Sequence, residues 1–224
     1  MPPIVTLTMN PALDLTTDTQ RVEPEHKLRC SHAVLDAGGG GVNVARVIGR
    51  FSETAIAIYT VGGPLGHAYD NRLSAESVDR RPVRIAGATR QNMTVDEGET
   101  GQQFRFVMEG PPLSEAEWQA CLDAVDDALE PEAWLVASGS LPPGVPDDFY
   151  ARCVRLARER GAHSVVDASG DALVAALDAG PTLLKPNRRE LSVLTGRALD
   201  SEEAEEKAAR ELVETGKARM VEIG

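Results

Sequence analysis

The chain has 224 residues, 42% of them hydrophobic and 26% charged, enough for one large domain, or one domain and a small appendage, with a sizeable core, so a folded chain is expected. A net charge of -12, from 23 Lys and Arg against 35 Asp and Glu, excludes a general nucleic-acid or anionic-membrane surface and requires a local basic cluster wherever an anion is bound. No run approaches the ~18 apolar residues of a membrane span, and "MPPIVTLTMN" lacks a basic region followed by an apolar signal core, so a soluble cytoplasmic protein is expected.

In chain order, Ile4 to Thr8 reads as a buried strand, and "NPALD" places Asp14 just beyond it, at the edge where open parallel sheets keep their ligand crevices. Lys27 to Val34 is expected to be extended. "DAGGGGVNVAR", from Asp36 to Arg46, sets four glycines before a helix expected over Val42 to Arg50, and Ala55 to Val61 reads as the next strand. Gln91 to Met108 is again extended, with "GQQFRFVM" alternating polar and apolar residues. These two extended segments interrupt an otherwise alternating scheme and predict a small accessory sheet.

Ser114 and Glu117 form a capping-box pattern at the head of a helix over Glu115 to Leu129. Beyond Glu132 the apolar runs at Trp134 to Ala137, Ser164 to Val166, Thr182 to Leu184 and Met220 to Ile223 alternate with helices. Those helices are expected over Asp147 to Arg160, Asp171 to Ala179, Glu190 to Thr195 and Ser201 to Thr215. Gly161, Gly180, Gly196 and Gly216 each stand where a left-handed helix end favours glycine. The class is α/β with a mostly parallel sheet. Cys30, Cys121 and Cys153, and the histidines at 26, 32, 67 and 163, lie too far apart for a zinc or disulfide pattern.

A glycine run before a helix presents free N–H groups and a positive helix end, beside which Asn43 would hydrogen-bond a hydroxyl; a turn with close helix packing explains the run equally well. Neither the P-loop nor the dinucleotide fingerprint fits it. Asp14 serves as a ligand carboxylate or as a cap. Lys27 and Arg29 alternate on one face, and Arg90 and Arg105 border or occupy the second extended segment, so these four cations together would supply the anion site, though each alone reads as a solvated charge. "SGSLPPGV" makes a rigid turn after a buried strand. In "LLKPNRRE", Asn187 and Glu190 are three apart on one helical face, suited either to a hydrated divalent cation or to an N-cap with a first-turn acid.

Together, "GGGVNVARVIGRFS" with Gly62 beyond it, "TRQN", "QFRFVMEG", "SGSLPPG" and "KPNRRE" resemble the PfkB, or ribokinase-like, carbohydrate kinase family, and within it the branch of minor bacterial 6-phosphofructokinases. The resemblance implies a three-layer sandwich in a single domain, with a small β lid over about 12–36 and 88–109 that pairs two subunits into a homodimer. It implies ATP and Mg²⁺, and phosphate transfer to a ketohexose phosphate, foremost fructose 6-phosphate, with tagatose 6-phosphate or fructose 1-phosphate as alternatives. Asp14, Gly39, Gly40, Asn43 and Ser140 would meet the sugar. Lys27, Arg29 and Arg90 would hold its phosphate, with Arg105 beside them. Lys185, Asn187 and Glu190 would face the ATP phosphates, Glu190 reaching the metal through water. The family's Gly-Ala-Gly-Asp motif, which carries the catalytic aspartate, does not occur among the 224 residues. The resemblance therefore implies a C-terminally incomplete sandwich with an uncovered sheet edge, and leaves open a chain that binds sugar phosphate without transferring to it.

Overall fold

In the sequence "AIAIYTV", alternate residues must face opposite ways along a strand, and they do so here with both faces buried. Ala55, Ala57, Tyr59 and Val61 enter one apolar cluster, while Ile56 and Ile58 join the other. A strand buried on both faces needs helices on both sides, and three layers follow.

The computed structural model describes residues 2–31, 33–51, 53 and 55–224. His32 and Ser52, which ends the glycine-run signature, lie outside the described residues. In chain order the elements are β1 (Ile4–Thr8), β2 (Ala12–Thr19), β3 (Val34–Gly38), α1 (Gly40–Arg50), β4 (Ala55–Val61) and α2 (Gly63–Leu73). Next come β5 (Asp79–Arg84), β6 (Arg90–Glu97), β7 (Gln103–Phe106), α3 (Glu115–Ala128), β8 (Trp134–Ser138) and α4 (Phe149–Glu159). The last are β9 (His163–Asp167), α5 (Gly170–Asp178), β10 (Leu183–Leu184), α6 (Arg188–Thr195), α7 (Glu202–Glu214) and β11 (Met220–Val221).

The large sheet has seven strands in the order β11-β10-β9-β8-β1-β4-β5, and every pairing is parallel. The chain builds outward from β1 in both directions, so the order reverses there and a crevice opens beyond the C-terminal ends of β1 and β8. The larger core gathers α3 to α7 against one side; the smaller packs α1 and α2 against β1 and β4. The edge strand β5 carries Pro82, as a strand with one unpaired side permits.

The second sheet has four strands in the order β3-β2-β6-β7, with β2 and β6 parallel and the outer pairs antiparallel. Its strands account for Gln91 to Met108 but revise two expectations. Lys27 to Ala33 forms no strand among the described residues; it runs beside β2 through Ser31 N–H to Asp18 O (2.9 Å), and pairing begins only at Val34. Asp14, expected just beyond β1, lies inside β2, a strand of the small sheet that the residues themselves did not mark.

The helix ends follow their local chemistry. Ser114 and Glu117 close the expected capping box on α3, and the four C-terminal glycines take positive φ of 69°, 72°, 66° and 73°. The residue patterns did not mark β2, most of β3, α2 or β5: α2 is interrupted by Gly63, Pro64 and Gly66, and β5 is polar and carries a proline.

Candidate active site

The glycine run begins the site. Gly39 is the N-cap of α1 with φ +139°, and Gly40 and Gly41 form the first helical turn, two residues earlier than the sequence suggested. Each missing side chain has a stated neighbour. A Cβ on Gly38 would stand 2.7 Å from the Asp14 carboxyl carbon; on Gly40, 2.9 Å from Ser138 Cβ; on Gly41, 2.6 Å from Leu7 O and 2.8 Å from Thr8 Oγ1. The protein's own atoms therefore demand the glycines, and close packing accounts for the run before any ligand does.

That packing also drives the N-terminus of α1 into the crevice. Thr8 Oγ1 accepts from Val42 N–H (2.9 Å), and Gly39 O accepts from Asn43 N–H (2.8 Å). Among the described residues nothing accepts from the N–H groups of Gly40 and Gly41, which are left to meet an acceptor from outside. Asn43 is exposed one turn along.

Asp14 faces this helix end from the small sheet. Its Oδ1 accepts from Asn92 Nδ2 (2.9 Å), and Arg90, Arg105 and Asp36 act on it through space. Burial pushes its carboxyl above the ordinary value, with the Asn92 hydrogen bond and Arg90 pulling the other way. Arg90 Nη1 donates to Met108 O (2.8 Å) and Nη2 to Asn10 O (2.9 Å), so the guanidinium joins the small sheet to the end of β1. Burial lowers its pKa while Asp14 opposes the shift. Asn10 Nδ2 donates in turn to Ser140 Oγ (3.0 Å), which places Ser140 at the same crevice. Beside Asp14 a cavity of about 290 Å³ is lined by Thr16, Asn92, Thr94, Gln103 and Arg105.

Because Asp14 holds its proton more tightly in the fold than its ordinary value allows, it opposes folding fully above its raised pKa. That opposition fades as the pH falls and is gone below the ordinary value. Asp14→Asn is therefore expected to raise the thermal midpoint of the unliganded protein at pH 7, with the gain vanishing by about pH 3. A lower midpoint at pH 7, by calorimetry, would show that the charge is a structural support instead.

A second patch lies toward the other side of the sheet. Lys185 follows β10, three strand positions or about 14 Å from β1. Asn187 caps α6: Glu190 N–H donates to its Oδ1 (2.9 Å), and Asn187 N–H donates to Glu190 Oε2 (2.9 Å). The N-cap alternative is realised, and Glu190 Oε1 remains free of this box. A cavity of about 330 Å³ opens between the N-termini of α5 and α6, lined by Ser169, Gly170, Asn187, Arg189 and Glu190. Among the described residues no group of three acidic, His or Cys side chains would hold a metal ion directly.

Thus Asp14, Gly39, Gly40, Arg90, Arg105 and Ser140 gather around one crevice, with Asn43 on the adjoining turn. Lys27 and Arg29 do not join them. Thr19 Oγ1 donates to Arg29 O at the far end of β2, five residues or roughly 17 Å from Asp14, and Lys27 lines a groove there with Arg21 and Glu99. The sequence reading missed Asn10, Asn92, Ser138 and Asp167. Asp167 ends β9 and accepts from Ser138 Oγ (3.2 Å); an acid directly after the buried run "SVV" was the available signal. No comparable signal marked Asn10.

The profile of the pfkB family carbohydrate kinases matches residues 5–223. The chain belongs to that family. Two curated relatives of this kinase family are named ATP-dependent 6-phosphofructokinase isozyme 2. The one from Mycobacterium tuberculosis (strain CDC 1551 / Oshkosh) is 41% identical over 99% of this chain and 65% of its own length. The one from Escherichia coli (strain K12) is 42% identical over 98% of this chain and 71% of its own. The chain thus spans about two thirds of these family members. The crystal structure of phosphofructokinase-2 from Escherichia coli in complex with fructose-6-phosphate superposes with a TM-score of 0.94 at 43% identity, covering 99% of this chain and 73% of that one.

Proposed function

We propose that this chain provides the sugar-phosphate side and the ATP-phosphate side of an ATP-dependent kinase that converts fructose 6-phosphate to fructose 1,6-bisphosphate. The carrying observation is the convergence of Asp14, Arg90 and the unsatisfied N–H groups of α1 at the point where the strand order reverses. A carboxylate beside backbone donors suits sugar hydroxyls. Arg90 spends two of its five donors on carbonyls and keeps its remaining Nη hydrogens available to a phosphate. The activity for which the relatives are named supports the same substrate.

In this reading the paired helix N-termini at α5 and α6, with Lys185, receive the ATP phosphates. The free Glu190 oxygen fits a hydrated Mg²⁺ carried on those phosphates, since Mg²⁺ keeps several waters and needs no cage of protein ligands. When bound, the ion neutralises charge on the transferred phosphoryl group. Lys27 and Arg29 reach a sugar phosphate only from a second copy, so the proposal includes a homodimer joined through the small sheet. Exposed Leu28, Phe106 and Val107 on and beside that sheet support it. No described helix is long and apolar enough to cross a membrane, and a phosphorylated sugar substrate suits the cytoplasm.

A second reading, binding without transfer, needs only the groups that gather at the α1 crevice, Asp14, Arg90 and the free N–H groups of Gly40 and Gly41. Titration calorimetry with fructose 6-phosphate, followed by ADP release from Mg-ATP with and without that sugar, separates the two. Binding with sugar-dependent release is expected for the kinase; binding with no release leaves the second reading, and no binding removes both.

A further inference from the structure

We propose that Asn92 is a positioning residue for Asp14: its amide fixes one carboxylate oxygen and at the same time anchors the strand exit that Arg90 grips. The proposal rests on reading Asp14 as a sugar ligand.

Asn92 and Asp14 stand opposite each other in the parallel pairing of β6 with β2. The Asn92 amide uses both ends. Nδ2 donates to Asp14 Oδ1 (2.9 Å), and Oδ1 accepts from Met108 N–H (3.1 Å), just beyond β7. Met108 O in turn accepts from Arg90 Nη1 (2.8 Å), two residues before Asn92 on the same strand. Arg90 and Asn92 therefore hold the backbone of Met108 from its two sides, and the Arg90 contact to Asn10 O (2.9 Å) carries the tie across to β1.

Only a side chain that donates and accepts at once fits between a carboxylate and a backbone N–H. An aspartate would keep the acceptor for Met108 but put a second negative charge against Asp14, and a leucine would provide neither. With Oδ1 occupied by Asn92, and Gly38 leaving room along the other side of the carboxylate, Asp14 keeps Oδ2 for a ligand hydroxyl. The titratable groups facing Asp14 come from every neighbouring element: Arg90 on β6, Arg105 on β7, Asp36 on β3 and Tyr69 on α2. Asn92 is the neutral group among them that touches it.

A carboxylate accepts a sugar hydroxyl more strongly than a carboxylic acid does, so affinity falls as the pH drops through the Asp14 pKa. The test is calorimetric titration of fructose 6-phosphate between about pH 4 and 8 into the wild-type chain, Asn92→Asp, Asn92→Leu and Asp14→Asn. The Asp14→Asn profile supplies the contribution of the ligand's own phosphate ionisation. Asn92→Leu and Asn92→Asp are expected to bind about tenfold more weakly at pH 7. In Asn92→Asp the pH midpoint of binding should also move upward, because two adjoining carboxylates resist joint ionisation. A titration of the Asp14 carboxyl carbon by NMR, on the unliganded chain, reads the same midpoint without any ligand.

The outcomes separate cleanly. If Asp14→Asn binds as tightly as wild type, the sugar-ligand role of Asp14 fails. If Asp14→Asn weakens binding but Asn92→Asp leaves both affinity and midpoint unchanged, the positioning role of Asn92 fails alone. Should Asn92→Leu not fold, the neutral Asn92→Ala and its NMR midpoint still decide: loss of the amide's hydrogen bond to Asp14 raises the midpoint, whereas an asparagine that only anchored Met108 would leave it unmoved.

Discussion

Arg90→Ala is expected to weaken fructose 6-phosphate binding about a hundredfold while leaving ATP binding within about twofold. The guanidinium is half-buried, carries two hydrogen bonds to backbone carbonyls, and keeps Nε buried with no partner among the described residues. It is thus a desolvated cation already fixed in place, the condition under which a phosphate partner gains most. The patch at Lys185, Asn187 and Glu190, proposed for the ATP phosphates, lies about three strands away and loses nothing directly. Arg90→Lys should recover little, because an ammonium on a flexible stem does not reproduce a planar fork held between Met108 and Asn10. Calorimetry with each ligand is the check. Equal loss of both affinities would contradict the assignment of Arg90 to the sugar phosphate.

A large loss of stability is expected from Gly41→Ala. The added methyl meets Leu7 O at 2.6 Å and Leu7 C at 2.9 Å, backbone atoms of the central strand β1, as well as Thr8 Oγ1 at 2.8 Å. A surface side chain would swing aside, but a strand paired on both edges does not. The helix must move instead, which breaks the Val42 to Thr8 hydrogen bond and repacks Val42 and Ala45. A loss of about 3 kcal/mol follows, or a drop of roughly 6–12 °C in thermal midpoint. Gly98→Ala is the matched control: the nearest atom to its methyl is Thr19 O at 3.8 Å, so it should change the midpoint by less than a degree or two. Similar drops for both would mean that collision with β1 does not set the cost, since the lower entropy of the unfolded chain would by itself raise both midpoints.

Much of this architecture was written locally. The alternation in "AIAIYTV", the Ser114 and Glu117 pair, and the glycines after four helices each require only a few neighbouring residues to be interpreted. The parallel scheme beyond Glu132 follows from such signals repeated. What could not be read was any relation fixed by distant packing. Asp14 could be placed only after β1, at the sheet edge, because nothing in "NPALD" announces that β2 forms a second sheet with β3 and β6. The glycine run was open between an approaching ligand and close helix packing, and the sequence could not choose because the packing partners, Asp14, Thr8, Ser138 and Leu7, all come from other elements. Lys27 and Arg29 share a plausible spacing with Arg90 only on paper; the length of β2 separates them in one chain. Asn92 sat in plain view in "TRQN", yet its role depends on strand register.

The small sheet has mechanical consequences. Its connections to the rest of the chain, at Pro11, Gly39, residues 85–89 and residues 107–111, lie at the same end as Asp14, Gly38, Arg90 and Asn92. The groups nearest the crevice thus sit by the fulcrum of a lever whose long arm is the remainder of β2 and β6. For a rocking motion of about 10°, the tip near Thr19 would travel about 4 Å and Asp14 about 1 Å. Chemistry at the fulcrum is spared most of the movement, and the tip magnifies it. The chain even carries its own attachment point for watching that arm: Cys30 lies exposed near the tip, while Cys121 and Cys153 are buried with thiols that burial makes unreactive. A single thiol-directed fluorophore on the unaltered sequence would report the swing of the sheet.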